Sequence, residues 1–347
     1  MPLVRARRVQ LVVKLLLVAA KLAVILLAAE GALQVYTWWT TGGRLMTLND
    51  QMGWRMRANA KQLVRGELGP YIVRTNDRGL RDSNHPYQRV EGLQRIVVIG
   101  SSSLLGVGVR MEEICTEVLE RRLDQTEVIN LGMLGYGPDQ AYNYLKTEGL
   151  RYRPDRVIQL FDQYDAIEAF FSVHPAAFRT KCHVRILPEA AGIELVPPEF
   201  HWWELAAQRS YVAGWLERVL AITGGIVQQA LAIAELSELM PPEGERERAL
   251  RLLLEMTDEL CATAGARYTA VYVPGADVEK PNQLRNIINE LGRAGDLDTL
   301  DVSELLGEAN SGKVNEPKPF FDDDHLTPQG HYLVGKALQE FLDAQDE

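Results

Sequence analysis

The chain opens with one long apolar run and continues as short apolar stretches that alternate with longer amphipathic segments. The first run, from Val9 to Ala29, is long enough to cross a bilayer as a helix. From Arg95 onward, short stretches rich in β-branched residues alternate with segments of helical periodicity. Strands separated by helices are typical of a parallel sheet that helices cover on both faces. The pattern therefore predicts one transmembrane helix followed by an α/β domain of three layers.

The same pattern gives approximate limits for the elements of the α/β domain. The predicted strands are Arg95 to Ile99, Glu127 to Asn130, Arg156 to Leu160 and Tyr268 to Val273. The predicted helices are Glu112 to Leu123, Pro138 to Gly149, Arg246 to Ala264, Gln283 to Leu291 and Pro328 to Leu342. Repeated sequence segments are not visible, so we expect one sheet in one domain.

The chain divides into a transmembrane anchor over residues 1–40, a β-rich segment over 41–94 and the α/β domain over 95–345. The middle part is polar, with Gly, Pro and Asn breaks and a strand-like piece from Tyr71 to Arg74. An insertion at about 170–240 has helical stretches at Tyr211 to Ile222 and Ile226 to Leu239. Charges and a Gly-Gly pair interrupt them, so we expect a lid or a partner-binding subdomain rather than a second span.

The residues that flank the apolar run indicate its orientation in the membrane. Basic residues precede it and aromatic residues follow it: Arg5, Arg7 and Arg8, then Tyr36, Trp38 and Trp39. This order is typical of a cytoplasmic flank, a span and an aromatic belt. We expect a cytoplasmic N-terminus and an extracytoplasmic C-terminal domain, periplasmic in a Gram-negative cell. A cleaved signal peptide is the alternative, because Ala29 and Gly31 are spaced like a cleavage site.

Two lysines share one face of the predicted span. Lys14 and Lys21 are seven residues apart, and Lys21 lies near mid-membrane, where a lysine costs roughly 2.5–3.5 kcal/mol. One interpretation is a tilted helix with local thinning of the bilayer. The other is an acidic or carbonyl partner for Lys21 on another membrane helix. The expected partners are the lipid bilayer and, on the second interpretation, a membrane protein that binds this helix through Lys14 and Lys21.

Composition excludes several other kinds of function. The net charge of −10 over 347 residues provides no basic face for nucleic-acid phosphates, so we expect no nucleic-acid partner. Three widely separated cysteines, Cys115, Cys182 and Cys261, form neither a disulfide framework nor a paired zinc motif. We expect neither a metal nor a cofactor.

Two segments carry candidate chemistry. Ser101 and Ser102 follow the first strand of the domain, at the carboxyl edge where parallel sheets bind their ligands. The run Asp322-Asp323-Asp324-His325 comes just before the last helix, with Pro328 at its first position. A carboxylate could orient the imidazole while the imidazole faces a serine. An acidic loop that binds a divalent cation is the alternative.

The order of several blocks resembles the SGNH (GDSL-type) serine hydrolases. Gly100-Ser101-Ser102 is similar to the nucleophile block, Val128 to Gly137 to the block with an oxyanion-hole glycine, and Asp322 to His325 to the closing block. The segments Gly53 to Arg55, Asn76 to Asp82 and Glu148 to Asp155 resemble the surroundings of those blocks in membrane-anchored bacterial members. The resemblance covers most of residues 50–342 and implies a flavodoxin-like sheet with helices on both faces.

The resemblance also implies roles for particular residues. Ser102 would be the nucleophile, His325 the general base and Asp322 the residue that orients the imidazole, with Asp323 as its rival. The backbone N–H groups of Ser102 and Gly135 would form two arms of the oxyanion hole.

Two positions depart from the family pattern. Ser101 replaces the usual aspartate before the nucleophile, where it would support the loop. The usual oxyanion asparagine falls on Tyr164, with Gln163 as a substitute donor if the turn shifts by one residue. Loss of one oxyanion donor costs on the order of 10²–10³ in rate.

Two functions follow from these features. The first is an extracytoplasmic serine esterase or O-acyltransferase that acts on a cell-envelope glycan or lipid ester. The second is a catalytically silent domain of the same fold that serves as a scaffold or accessory subunit of a membrane complex.

Overall fold

The structure is a computed structural model that describes residues 2–41, 43–174, 179–188, 192–216, 240–312, 317–321 and 324–346. The strands are β1 (Met46–Asn49), β2 (Gly53–Met56), β3 (Lys61–Gly66), β4 (Gly69–Arg74), β5 (Gln94–Gly100), β6 (Thr126–Gly132), β7 (Arg156–Phe161), β8 (Val173–His174), β9 (Arg179–Thr180), β10 (His183–Ile186), β11 (Ile193–Val196), β12 (Arg267–Tyr272) and β13 (Asp298–Asp301).

The helices are α1 (Pro2–Thr41), α2 (Ser102–Leu105), α3 (Cys115–Glu120), α4 (Pro138–Thr147), α5 (Asp165–Glu168), α6 (Trp202–Arg209), α7 (Glu243–Thr263), α8 (Gln283–Ala294), α9 (Ser303–Asn310) and α10 (Pro328–Asp346). Single 3₁₀ turns span Met111–Glu113 and Gly149–Tyr152. Residues 211–216 are also helical.

A parallel sheet of five strands forms the centre of the domain. Its order is β13-β12-β7-β5-β6, and each neighbouring pair is parallel. Numbered within the sheet, this order is 2-1-3-4-5 read from β6, which is the flavodoxin-like order. The predicted α/β fold is therefore confirmed, as is the parallel sheet.

Alternate residues of β5 enter two separate cores. Val97 and Ile99 pack with side chains of α4, α7 and α8, whereas Ile96 and Val98 pack with those of α3, α9 and α10. Successive side chains of a strand point to opposite faces, so a strand that is apolar throughout requires cover on both sides. The sheet is thus the middle of three layers, as the pattern predicts.

Several elements differ from the sequence prediction. The predicted helix from Glu112 to Leu123 is a 3₁₀ turn followed by the shorter helix α3, because Ile114 between them has an extended backbone. The sequence analysis also missed β13 and α9, which complete one edge of the domain. The insertion starts with two short hairpins, β8–β9 and β10–β11, before its first helix. The predicted stretch from Ile226 to Leu239 lies outside the described residues.

The β-rich segment consists of two antiparallel hairpins, β1–β2 and β3–β4. Met52, Trp54 and Met56 are buried in the same core as Val97. The Trp54 indole donates a hydrogen bond of 2.9 Å to the backbone oxygen of Leu134. This segment therefore packs as part of the α/β domain.

The N-terminal helix α1 stands apart from these cores. Residues Val13–Thr40 are apolar and long enough to cross a membrane, and none of the window is buried against the protein. The helix is compatible with a single-pass anchor and equally with a signal sequence.

Cys115, Cys182 and Cys261 are free and buried.

A buried ion pair joins the start of the insertion to the domain. Lys181, between β9 and β10, lies 2.6 Å from the Asp139 carboxylate of α4, and both side chains are almost fully buried. The ammonium also donates to the backbone oxygen of Glu168 at 3.0 Å. A buried charge that loses its partner keeps its desolvation penalty, so this pair makes folding sensitive to either residue.

We expect Lys181→Met to lower the free energy of unfolding by roughly 3–5 kcal/mol, because the buried Asp139 carboxyl group loses the partner that offsets its desolvation. Chemical unfolding of the detergent-solubilised chain, followed by circular dichroism, measures the change. Arg185→Met is the matched control: Arg185 forms an exposed pair with Glu194 at 3.3 Å, and such pairs contribute about 1 kcal/mol or less. Equal stability of the two variants would contradict the prediction.

Candidate active site

Ser102 lies where the central strand β5 turns into a helix. The strand ends at Gly100, where an added Cβ would lie 2.9 Å from the backbone oxygen of Leu160. Ser101 caps the helix, with its hydroxyl 3.4 Å from the N–H of Ser103, and Ser102 is the first residue of α2. The Ser102 side chain is therefore at the carboxyl edge of the sheet, as predicted.

His325 comes from a tight turn just before α10. The turn is closed by a hydrogen bond of 2.8 Å from the N–H of Phe321 to the His325 backbone oxygen and by a bridge between Phe320 and Leu326. This closure brings the imidazole Nε2 to 2.9 Å from the Ser102 hydroxyl oxygen. The predicted approach of these two side chains, from opposite ends of the domain, is confirmed. Their catalytic roles stay predictions.

The structure does not describe the two residues proposed as the acidic partner of His325. Asp322 and Asp323, the two residues proposed to orient the imidazole, lie outside the described residues. Which of them contacts the imidazole therefore stays a prediction.

The third aspartate of the run, Asp324, has a role that the sequence analysis did not assign. One of its carboxylate oxygens accepts from the Gln163 amide at 2.8 Å and the Tyr164 hydroxyl at 3.0 Å. The other accepts from the backbone N–H of Ala276 at 2.9 Å. Asp324 thus ties the histidine-bearing turn to the loops that follow β7 and β12.

The backbone and the charge state of Asp324 both fit this role. Its φ of 68° is in the left-handed region, which aspartate adopts more readily than most residues. Partial burial alone would raise the pKa of Asp324, but the hydrogen bonds from Ala276, Tyr164 and Gln163 outweigh that effect and lower the pKa. The carboxylate is therefore ionised at neutral pH and is the stronger acceptor for it.

Tyr164, expected to replace the oxyanion asparagine, donates its single hydroxyl proton to Asp324. Burial and this hydrogen bond raise the pKa of the phenol, so the proton stays on Tyr164 at neutral pH. In this arrangement the hydroxyl proton of Tyr164 that would be donated to an oxyanion is already donated to Asp324. The observed bond competes with the proposed oxyanion role, which stays a prediction.

Gly135, the other proposed oxyanion residue, lies in the turn after β6. Its φ is 68°, and an added Cβ would lie 2.9 Å from Nε2 of His174, so both the backbone and the space favour glycine. The turn is held to the nucleophile strand by a hydrogen bond of 3.1 Å from Met133 to Gly100. Gly135 is therefore at the strand edge beside that of Ser102.

Ser101 supports the nucleophile turn, as the sequence analysis expected for that position. Its hydroxyl donates to the carboxylate of Asp162 at 2.6 Å, and the same carboxylate accepts from the N–H of Tyr164 at 2.8 Å. Asp162 thereby joins the turn after β5 to the turn after β7. An acid directly after a buried strand was the signal in the sequence that could have indicated it.

Arg81 is a second supporting residue that the sequence analysis missed. Its guanidinium is buried and donates to the backbone oxygens of Leu105 at 3.0 Å and Val109 at 2.6 Å, and also to Gly106. A cation at the end of a helix satisfies carbonyl groups that the helix leaves unpaired. The segment Asn76 to Asp82, noted for its resemblance, therefore holds the short helix that carries Ser102.

A serine hydroxyl hydrogen-bonded to an imidazole is the usual arrangement of an activated nucleophile. The imidazole can accept the hydroxyl proton as the oxygen attacks a carbonyl carbon. The start of α2 and the turn after β6 follow the carboxyl ends of two neighbouring strands, β5 and β6. Their backbone N–H groups are therefore at the part of the sheet edge where an oxyanion would form. The geometry is therefore suited to acyl transfer.

No protein-family profile matches the sequence, and a search of curated proteins returns no match. Solved structures of similar fold include a lipolytic protein of the G-D-S-L family from Desulfitobacterium hafniense, 14% identical, covering 72% of this chain and 99% of that chain, with a TM-score of 0.41. A lipase/acylhydrolase from Enterococcus faecalis is 14% identical, with 73% and 97% covered and a TM-score of 0.42. A psychrotrophic esterase from Pseudoalteromonas sp. is 11% identical, with 73% and 98% covered and a TM-score of 0.39.

We expect Asp324 to control the reactivity of Ser102 through the position of His325. Asp324→Gly keeps the left-handed backbone but removes all three hydrogen bonds, and misplacement of a catalytic group by about 1 Å can cost 10²-fold in rate. The rate at which a fluorophosphonate labels Ser102 should fall by roughly that factor. Tyr164→Phe is the control, because it removes one of the three bonds and should cost less. Labelling of Asp324→Gly at the wild-type rate would exclude this role.

Proposed function

We propose that this chain is a membrane-anchored serine esterase or O-acyltransferase of the SGNH type, which acts outside the cytoplasm on an ester of a cell-envelope glycan or lipid. The distance of 2.9 Å between the Ser102 hydroxyl and the His325 imidazole carries this proposal. These residues are 223 positions apart, and they meet at the sheet edge where open α/β proteins bind their ligands.

The proposed reaction has two halves. His325 accepts the hydroxyl proton of Ser102 as the serine oxygen bonds to the ester carbonyl carbon, and the backbone N–H groups of Ser102 and Gly135 donate to the resulting oxyanion. His325 then gives that proton to the leaving alcohol, and the acyl group stays on Ser102. In the second half His325 accepts a proton from water, for hydrolysis, or from an acceptor hydroxyl, for transfer, as that oxygen bonds to the acyl carbon. The bond between the acyl carbon and the Ser102 oxygen then breaks, and His325 returns the proton to Ser102. Asp322 or Asp323 would orient the imidazole throughout.

The membrane location rests on α1 and its flanks. The apolar stretch of the helix is exposed, basic residues precede that stretch, and Trp38 and Trp39 lie near the end of the helix. These features support a cytoplasmic N-terminus and an extracytoplasmic domain, periplasmic in a Gram-negative cell. The substrate would then be an acyl ester at or near the membrane surface.

One observation favours a second function, that of a silent scaffold in a membrane complex. At the position where the resemblance places an oxyanion asparagine, the Tyr164 phenol is bonded to Asp324. A site with an impaired oxyanion hole would keep its fold and lose most of its rate.

We also propose a membrane-protein partner for α1, which is compatible with either function. Lys21 is exposed on α1, and Lys14 lies on the same face. We expect Lys21→Leu to insert into membranes at least as well as wild type, because it removes an intramembrane charge, and to co-purify with less of its partner. Quantitative mass spectrometry of the affinity-purified chain measures the loss. Lys14→Leu, nearer the cytoplasmic interface, is the control. If Lys21→Leu recovered as much partner as wild type, the proposal that Lys21 contacts a membrane protein would be contradicted.

For the active enzyme, we expect a fluorophosphonate to label wild type and Ser103→Ala but not Ser102→Ala. Ser102→Ala and His325→Ala should each abolish turnover of a short acyl ester, and the double variant should be little worse, because such residues act as a unit. Mass spectrometry of the labelled peptide and ester hydrolysis are the measurements.

Tyr164→Asn and Tyr164→Phe complete this test. Both lose the bond to Asp324, but only the asparagine adds an amide donor, which is worth roughly 10²–10³ in rate when it is well aimed. Tyr164→Asn should therefore be faster than Tyr164→Phe. A folded wild-type chain that resists labelling, with ester hydrolysis no higher than that of Ser102→Ala, would instead favour the scaffold.

A further inference from the structure

The carboxylate of Glu30, on α1, binds the insertion directly. It accepts hydrogen bonds from the Ser210 hydroxyl at 2.7 Å, the N–H of Tyr211 at 2.6 Å and the N–H of Val212 at 3.0 Å. These groups lie at the start of the helical residues 211–216. The end of α6 and the start of the next helical segment are therefore attached to the helix that we assign to the membrane.

Arg44, just beyond α1, binds the same junction, which is the connection between α6 and the helical residues 211–216. Its guanidinium donates to the backbone oxygens of Ala207 at 2.7 Å, Gln208 at 2.8 Å and Ser210 at 2.7 Å. It also lies over the Tyr211 ring, 4.0 Å from its centroid. An anion and a cation near the end of α1 thus fix residues 207–212, and the junction is a built contact rather than a loose linker.

The position of Glu30 on α1 gives the depth of this junction. The apolar run ends at Ala29, and about 20 helical residues span the hydrocarbon core, so Glu30 is at its outer boundary. Trp38 and Trp39 follow about 12 Å further along the helix axis, at the rise of 1.5 Å per residue. Both are largely exposed, at 69% and 78%. The junction therefore lies at the outer edge of the hydrocarbon core, on the same side of the membrane as Trp38 and Trp39.

The insertion exposes large apolar side chains next to that junction. Trp202, Trp203, Trp215 and Leu216 are 77%, 43%, 47% and 46% exposed. Trp202 begins α6, whose other end Arg44 holds, so it is within about 12 Å of the junction. Exposed tryptophans are costly in water and are enriched at membrane interfaces, where one side of the ring is apolar and the other is wet.

We propose that the tryptophans of the insertion, Trp202, Trp203 and Trp215, lie in the headgroup region of the phospholipid bilayer that holds α1. The proposal rests on the membrane assignment of α1 in the proposed function. The bilayer is favoured because the same tryptophan chemistry occurs near the end of α1, and Glu30 and Arg44 attach the end of the helix that carries Trp202 directly to α1. A contact surface for a second protein is the alternative outcome of the test.

The arrangement bears on the candidate active site. The insertion starts with β8, and His174 at its end packs against Gly135. Glu204 of α6 accepts from the N–H of Thr180 at 3.0 Å and from its hydroxyl at 2.8 Å, which joins the membrane-facing helix to the strand after β8. A bilayer contact by the insertion would hold the sheet edge at a fixed height above the lipid.

Quenching of tryptophan fluorescence by brominated lipid tests the proposal. The full chain is reconstituted in phosphatidylcholine–phosphatidylglycerol vesicles with or without brominated acyl chains. The Trp38→Phe/Trp39→Phe variant retains only Trp54 and the three insertion tryptophans, and it should still lose emission in brominated vesicles. Further replacement of Trp202, Trp203 and Trp215 by Phe leaves only the buried Trp54, and that variant should lose none. Wild type should be quenched most.

Glu30→Ala, made in the Trp38→Phe/Trp39→Phe background, tests the attachment. It removes three hydrogen bonds to the junction, so quenching of the insertion tryptophans should weaken. Quenching of wild type together with none in Trp38→Phe/Trp39→Phe would overturn the proposal and assign the surface to a protein partner. Absence of quenching in wild type would overturn the membrane assignment of α1 as well. Fluorophosphonate labelling of Ser102 is a separate measurement, so failure of the catalytic proposal is distinguishable.

Discussion

The pairing of β5 with a parallel strand on each side determines where the chemistry of this chain lies. Because β5 is flanked by β6 and β7, its carboxyl end meets theirs at one sheet edge. Ser102, Gly135 and Asp162 each follow the end of one of these strands. A parallel sheet buried on both faces leaves only this edge and its opposite exposed to ligands. Residues that are distant in sequence become neighbours there.

Carboxylates hold the loops at that edge in place, and each links two segments. Asp82 accepts from the N–H of Asn130 at 2.7 Å, which fixes the segment before β5 to β6. Asp162 joins the turns after β5 and β7, and Asp324 joins the histidine-bearing turn to the loops after β7 and β12. A carboxyl group has two oxygens that can each accept hydrogen bonds, so a few acids can position several loops. The precision that acyl transfer requires would come from these links.

Sequence reasoning predicted the buried strands and missed the marginal ones, for a physical reason. The central strands are mostly apolar and almost wholly buried. In contrast, Asp298–Asp301 forms a half-buried edge strand with an acid at each end and leaves no such pattern. Ser102 and His325 were predictable because short, ordered blocks carry them. Arg81 was not, since its role depends on carbonyl groups 24 to 28 residues away that only the folded chain brings within reach. The carboxylate of Asp324 faces the loops after β7 and β12 because its backbone has a positive φ, and an Asp-Asp-Asp run does not specify a positive φ.

The conformation of Asp324 also weakens the interpretation of the acidic run as a cation site. Three adjacent aspartates could supply oxygen ligands to a hard cation only if their carboxylates turned toward one point. Both oxygens of Asp324 instead accept hydrogen bonds from Gln163, Tyr164 and Ala276, and these donors would repel a cation that approached them. A cation bound by the three aspartates would therefore lack Asp324 as a ligand, and the hydrogen-bond donors around Asp324 would point toward it. Of the two interpretations that the sequence left open, the described residues agree with an imidazole that faces Ser102. Its support by Asp322 or Asp323 stays a prediction.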